Sequence, residues 1–328
     1  MRLYCPTSRL QIRSMAPPSA ALGTADASSF VEAQPPAAFR TGIRENMLTG
    51  ILMITGSTFC FSLGDIAAKA MTATLPSLEV TWFRYLIFAL VFIPASVAVN
   101  GRRALATRRP GLQIFRAIGV VMSSVLFIAG LGYLQPAEAT AINFVAPLFI
   151  TLLSIPLLGE RVGFHRLAAT VVGFLGVLLV VQPGSSTFQL AALYPVANAM
   201  AWAGAMIATR MMTNEKPEIT LAWAGVVGIL GLSLAMPFVW KTPNATECLY
   251  GVLTGVFSCG GHWFVVRAYR YAPASLLAPF SYVQLIFAAV LGYFAFGVVP
   301  GPATIMGGIV IAASGLYTAQ HERKARAG

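Results

Sequence analysis

The sequence predicts an all-α integral membrane protein of ten transmembrane helices, built as two inverted five-helix repeats. Three observations lead there. The first is composition: 57% of the 328 residues are hydrophobic and only 10% are charged, with a mean hydropathy of +0.74, whereas a soluble domain carries about a quarter charged residues. Gathered into one soluble core, so many apolar residues would leave too little polar surface to cover them. The second is the spacing of the few charges, which divides the chain into apolar stretches of membrane-crossing length. The third is the recurrence, half a chain apart, of the same order of helix-opening and proline signals. A disordered chain is excluded by this hydrophobicity, and a disulfide scaffold by four cysteines scattered along an apolar sequence.

A spanning helix needs about 20 mostly apolar residues, because ~30 Å of hydrocarbon is covered at ~1.5 Å per residue. Charge-free intervals of adequate length run 46–64, 85–101, 117–137, 139–159, 219–240 and 248–266. Two longer intervals, 167–209 and 271–321, each hold two passes around a turn. One turn is Gln182-Pro183-Gly184-Ser185-Ser186; the other runs from Gly297 to Pro302. The expected spans are 47–71, 77–99, 112–134, 136–158, 164–182, 188–210, 219–240, 247–267, 273–296 and 301–319.

Orientation follows from the positive charges. Of the 22 Lys and Arg residues, 19 fall on one side. These are Arg2, Arg9, Arg13, Arg40 and Arg44 before span 1, Arg102, Arg103, Arg108 and Arg109 after span 2, and Arg116 just inside span 3. Arg161, Arg166, Arg210, Lys216, Arg267, Arg270, Arg323, Lys324 and Arg326 complete the set. Lys241 alone lies on the other side, and Lys69 and Arg84 are left within the membrane. Both termini are therefore expected in the cytoplasm. The net charge of +11 is then a mark of topology and of contact with anionic membrane lipid, and no nucleic-acid partner is expected.

Residues 1–46 are Pro/Ala/Ser-rich, as in Met15-Ala-Pro-Pro-Ser and Gln34-Pro-Pro-Ala-Ala, and have no continuous apolar run. That excludes a secretory signal peptide. They read as a disordered cytoplasmic tail, with a transit peptide or a start codon placed too far upstream as alternatives. Beyond them, 47–183 and 188–319 form the two repeats and 320–328 a basic tail. Span 2 opens Glu79-Val80-Thr81 with Pro94 late, and span 7 opens Glu218-Ile219-Thr220 with Pro237 late. Span 4 opens Pro136-Ala137 with Pro147 inside, and span 9 opens Pro273-Ala274 with Pro279 inside. A five-helix unit ends on the side opposite its start, so its second copy is inverted. Proline-interrupted helices at matching places in inverted halves point to a site near mid-membrane.

Tyr133-Leu-Gln-Pro-Ala-Glu-Ala-Thr-Ala, Pro147, Leu158-Gly159-Glu160 and Gly173-Phe-Leu-Gly176, in that order, resemble the EamA repeat of the drug/metabolite transporter superfamily. Ala272-Pro-Ala-Ser-Leu-Leu-Ala-Pro-Phe-Ser-Tyr282, Gly307-Gly308 and Ser314-Gly315-Leu316-Tyr317 resemble the same repeat in the second half. The resemblance covers about residues 47–320. Where the first repeat has Gly159-Glu160, the second has Phe296-Gly297 without the acid. The resemblance implies a ten-helix carrier of small metabolites in a bacterial cytoplasmic membrane. Phe83-Arg84 and Ala278-Pro-Phe-Ser-Tyr are similar to a branch with S-adenosylmethionine-type and riboflavin-type uptake carriers.

Charges deep in a bilayer are costly and face a partner or a water-filled cavity. Asp65 lies roughly 9 Å from the outer end of span 1 and Arg84 roughly 10 Å along span 2 from the same side, so they can pair. Lys69 is one turn from Asp65 on the same face. The three form either a gate and anion-recognition cluster or a structural ion pair with Lys69 snorkelling to the interface. Glu138 and Glu79, near the outer rim, are proton-coupling candidates or simply solvated acids. Asn143, Asn198 with Trp202 one turn on, and Tyr282 with Gln284 mark a cavity wall able to hydrogen-bond a substrate and stack on a ring; interhelical bonding is the competing use.

His262 follows Gly251, Gly255 and Cys259 on one face of span 8, as a proton relay or a packing residue. Cys5, Cys60, Cys248 and Cys259 lack metal-ligand spacing, and no metal or cofactor is expected. There is no Gly-x-x-x-x-Gly-Lys-[Ser/Thr] loop for ATP-driven transport. The expected function is alternating-access transport of a small-molecule substrate by a monomer or homodimer. Uptake of a planar heteroaromatic metabolite such as riboflavin comes first, with export of amino acids, their derivatives or drugs as the alternative. A membrane enzyme or channel is the different-class alternative.

Overall fold

The computed structural model describes residues 37–159, 163–183, 190–212, 215–272 and 274–327. The expected tail over 1–36, Glu160, Arg161, the turn at 184–186 and Pro273 lie outside them. The chain divides into two units, Met1–Thr41 and Gly42–Gly328, and the second holds the helical bundle.

The helices are α1 (Ala37–Met71), α2 (Ser77–Asn100), α3 (Pro110–Leu131), α4 (Pro136–Asn143), α5 (Ala146–Leu158), α6 (Phe164–Val181), α7 (Leu193–Arg210), α8 (Pro217–Val239), α9 (Ala245–Tyr271), α10 (Ala274–Ser281), α11 (Val283–Phe296) and α12 (Pro302–Ala327). Among the described residues, eight passes are long and apolar enough to cross a membrane, and the shorter apolar helices Leu167–Val181 and Pro302–Thr318 supply the fifth and tenth. Proline opens α3, α4 and α8, where its missing N–H costs no intrahelical bond. Asn244 and Glu247 cap α9 reciprocally at 2.7 and 2.8 Å.

Two boundaries differ from the sequence reading. The first helix begins at Ala37 rather than 47, directly after Pro35-Pro36, and the last continues through the expected basic tail to Ala327. Thr318-Ala-Gln-His-Glu-Arg-Lys-Ala-Arg-Ala is rich in strong helix formers and has no breaker, so polarity ends the membrane span without ending the helix.

Spans 4 and 9 are each broken into an eight-residue and a longer helix, at corresponding places. Around Phe144–Val145, backbone bonds tighten to i−3: Val145 N–H to Ile142 O and Leu148 N–H to Val145 O, at 3.0 and 2.9 Å. Tyr282 N–H to Pro279 O and Leu285 N–H to Tyr282 O do the same at 3.3 and 3.0 Å. Pro147 sits just after its break, whereas Pro279 lies inside α10, three residues before the break at Tyr282. The sequence reading placed the second interruption at Pro279 itself. Gly159 and Gly297 both cap their helices in the left-handed region, at φ 67° and 68°. The two glycines therefore correspond, and Glu160 falls opposite Val298 rather than Gly297.

Across the repeats α1 corresponds to α7, α2 to α8, α3 to α9 and α6 to α12. α6 packs on α12, α2 on α8, and α3 on α7. Gly176 and Gly307 let α6 and α12 touch backbone to side chain, the close approach by which membrane helices gain packing. Large apolar side chains such as Leu234 (77% exposed) and Phe238 (86%) face outward, while Ser57, Thr58, Ser62 and Asp65 are buried. That inversion suits a bundle solvated by lipid.

Candidate functional site

The broken helices meet at their breaks, with the Phe144 and Tyr282 rings 4.8 Å apart. Beside them lies a cavity of about 330 Å³. Its walls carry Asp65, Arg84, Asn143, Asn198, Trp202 and Gln284, so six of the sequence-predicted residues come together from α1, α2, α4, α7 and α11. Pro147 lines it as well. A second cavity of about 260 Å³ shares Phe144, Pro147, Ile150 and Ser281 with the first and continues past Tyr282 to Arg210 and Thr318.

Two polar pairs organise the first cavity. Arg84 Nη2 lies 3.1 Å from Asp65 Oδ1, with both side chains about a tenth exposed. The same guanidinium donates to Thr254 Oγ1 from Nη2 at 3.1 Å, and Thr254 donates to the Gly64 carbonyl at 2.8 Å. One arginine thus ties α2 to α1 and α9 while lining the cavity. Deeper along the wall, Asn198 Nδ2 donates to Asn143 Oδ1 at 2.6 Å, joining α7 to the last residue of α4. α9 approaches because Gly251 and Gly255 leave room for Phe83 and Ile87 of α2.

His262 also faces this cavity. Its Nδ1 lies 2.8 Å from the Ser258 carbonyl, and since a carbonyl only accepts, Nδ1 carries the proton. Phe61 and Phe88 flank the ring edge-to-face, with centroids 5.1 Å away.

Other candidates are placed elsewhere. Lys69 lines neither cavity: its Nζ donates to the Leu131 and Leu134 carbonyls, both at 2.8 Å, and so caps the end of α3. Glu138 accepts from Gln135 N–H at 3.1 Å in the capping box of α4. Glu79 is not a solvated rim acid. It is fully buried, with Oε2 accepting Lys241 N–H at 3.0 Å under the α8–α9 turn. Tyr282 lines the second cavity and not the first. Arg116, expected just inside span 3, is buried between helices there.

The sequence reading missed Thr254, Ser258 and Phe61. Thr254, Ser258 and His262 recur every four residues on α9, and that polar stripe beside the glycine stripe was the available signal.

The turns at one end of the bundle hold one another. Thr74 donates to Glu247 at 2.5 Å, Lys241 Nζ reaches the Thr74 carbonyl at 3.4 Å, and Trp240 meets Trp82 edge-on at 5.8 Å. The opposite end carries the arginine-rich turns, where Glu215 accepts from Thr107 at 2.8 Å and Glu218 pairs with Arg270 at 3.0 Å.

Comparison with known proteins adds three kinds of match. The profile of the EamA-like transporter family fits residues 48–182 and again 189–319. The chain is 27% identical over 279 residues to an S-adenosylmethionine uptake transporter of Rickettsia prowazekii, covering 84% of this chain and 94% of that one. It is 30% identical to a riboflavin transporter of Rhizobium johnstonii (84% and 93% covered) and 28% identical to a pseudopaline exporter of Pseudomonas aeruginosa (80% and 93%). A solved crystal structure superposes with a TM-score of 0.63 at 20% identity, covering 85% of this chain and 99% of its own; that likeness concerns the fold.

Proposed function

The chain belongs to the EamA-like transporter family, and from that premise we propose that it is a secondary carrier working by alternating access. It takes up a planar heteroaromatic metabolite, such as riboflavin, across the bacterial cytoplasmic membrane. Both termini and the arginine-rich turns lie in the cytoplasm, as the charge asymmetry requires. The carrying observation is that the Asp65–Arg84 and Asn143–Asn198 pairs face one cavity where the two broken helices meet. In inverted-repeat carriers that is where substrate binds.

Polar groups fix the orientation of a ring, and Trp202, Tyr85 and Phe88 on the walls supply faces for it to stack on. Riboflavin and S-adenosylmethionine, for which two relatives are named, both contain a planar heteroaromatic system. Substrate enters past Asp65, Arg84 and Asn143. The outer turns are tied to one another and the second cavity extends to Arg210 and Thr318, which supports reading this conformation as inward-facing. Of the groups offered for proton coupling, His262 faces the cavity while Glu79 and Glu138 hold turns and caps. The driving force is then the proton gradient acting at His262, or exchange of solutes.

Export is the second reading, favoured by the similarity to the pseudopaline exporter. Proteoliposomes holding only this protein test the assignment. Saturable counterflow of labelled riboflavin, recovered unchanged, is the expected result, whereas chemical conversion would indicate an enzyme. Arg84→Ala and Asn143→Ala are expected to abolish uptake with insertion intact, and wild-type rates in both would remove the site.

A further inference from the structure

Asn143 and Asn198 form a hydrogen bond whose leftover groups carry information. Each primary amide has one carbonyl oxygen and two N–H donors. Joining Asn198 Nδ2 to Asn143 Oδ1 at 2.6 Å leaves the Asn143 NH₂ and the Asn198 carbonyl oxygen uncommitted, and neither makes another hydrogen bond among the described residues. Turning both amides over exchanges the roles and again leaves one NH₂ and one oxygen, so the result does not depend on how the amides are assigned. The pair therefore presents a donor beside an acceptor whichever way it is drawn.

A tie between helices needs only the shared bond. Here both residues line the cavity, and neither uncommitted atom is walled in as a buried unsatisfied group. Phe144 follows Asn143 at the break, and Trp202 lies one turn beyond Asn198, both on the same cavity. A flat ring lying against these aromatics would bring its edge to the two amides.

We infer that the carrier selects its substrate by an amide-like edge, a donor next to an acceptor on a planar heterocycle, read by the Asn143–Asn198 pair. This rests on the assignment of the cavity as the substrate site and narrows what that site accepts. An imide edge of a flavin and the N6/N7 edge of an adenine both qualify, the latter being the pattern that Asn and Gln side chains engage with two hydrogen bonds. A ring whose edge donor has been methylated loses one bond and leaves an amide group unpaired in the cavity, which costs more than the bond alone.

The test uses the purified full chain and two ligand pairs: riboflavin with 3-methylriboflavin, and S-adenosylmethionine with its N6,N6-dimethyl analogue. In equilibrium binding, the parent of at least one pair is expected to bind, and its methylated partner to bind about tenfold or more weaker. Replacing both amides, Asn143→Leu with Asn198→Leu, removes donor and acceptor together, and the preference for the parent is then expected to fall to about twofold or less, the scale left when only stacking remains. Asn198→Asp keeps its shape and still accepts from the ring's donor, so the preference is expected to persist there while the parent binds weaker, because its ring acceptor now faces a second acceptor. Equal binding of parent and methylated ligand by the unaltered protein overturns the inference, as does a preference that survives the loss of both amides. Counterflow of a solute with no donor–acceptor edge, with neither pair bound, overturns it while leaving the carrier assignment standing. Absence of counterflow for every solute tried brings down the carrier assignment as well.

Discussion

Arg84 and Arg116 each reach from their own helix to two others, in trios of helices that correspond across the repeats. Arg84 of α2 touches α1 and α9; Arg116 of α3 donates to Thr209 Oγ1 of α7 at 3.3 Å and to the Thr220 carbonyl of α8 at 3.0 Å. Both are nearly buried, yet their partners differ. Arg84 pairs with a carboxylate and opens onto the cavity, so its charge is balanced where a solute can reach it. Arg116 has only neutral oxygens, no ion pair among the described residues, and lines neither cavity. Burial does not distinguish these two cations; their partners and the adjoining space do.

The comparison can be broken by substitution. The largest effect is expected at Arg84→Met, with counterflow per inserted molecule falling on the order of 100-fold, the scale of about 3 kcal/mol for losing one member of a hydrogen-bonded charge pair. A rate near wild type would place Arg84 with Arg116 as a helix tie. Lys69→Met, which uncaps α3, is expected to lower stability by about 1.5–3 kcal/mol in denaturation while substrate affinity stays unchanged. An altered KM at unchanged stability would return Lys69 to the gate.

Arg116→Met should change stability by about 1 kcal/mol or less, because an apolar residue of similar volume often replaces a buried charge without loss. Transport per folded molecule should persist. Loss of transport in that variant would mean the α3–α7–α8 trio has to move during turnover. The smallest effect is expected at Glu138→Gln, which preserves the capping box: rate and its pH profile should both match wild type. A flattened pH profile would instead make Glu138 a proton carrier.

Much of this was legible in the chain. Asp65 and Arg84 were paired from helical rise alone, since two costly charges at equal depth on adjacent helices leave few alternatives. Asn143, Asn198, Trp202 and Gln284 were legible because polar and amphipathic groups inside an apolar span need a reason. The partners of Lys69 and Glu138 were not legible, for one shared reason. Their partners are backbone groups, the Leu131 and Leu134 carbonyls and the Gln135 N–H, and a backbone group has no letter to betray it. Arg116 falls just inside span 3 by position, but its partners, Thr209 Oγ1 and the Thr220 carbonyl, lie on two other helices and no local pattern marks them.

What the residues alone determined is the topology. Apolar length sets the number of crossings, and paired helix-opening and proline signals reveal the duplication, because each acts through local chemistry and the bilayer. What only the tertiary structure decided is which side chains meet. The Asn143–Asn198 bond, the threading of Arg84 onto Thr254 and the facing of the two breaks all join residues far apart in sequence. Their geometry is set by how glycine-lined helices pack, and no local pattern encodes that.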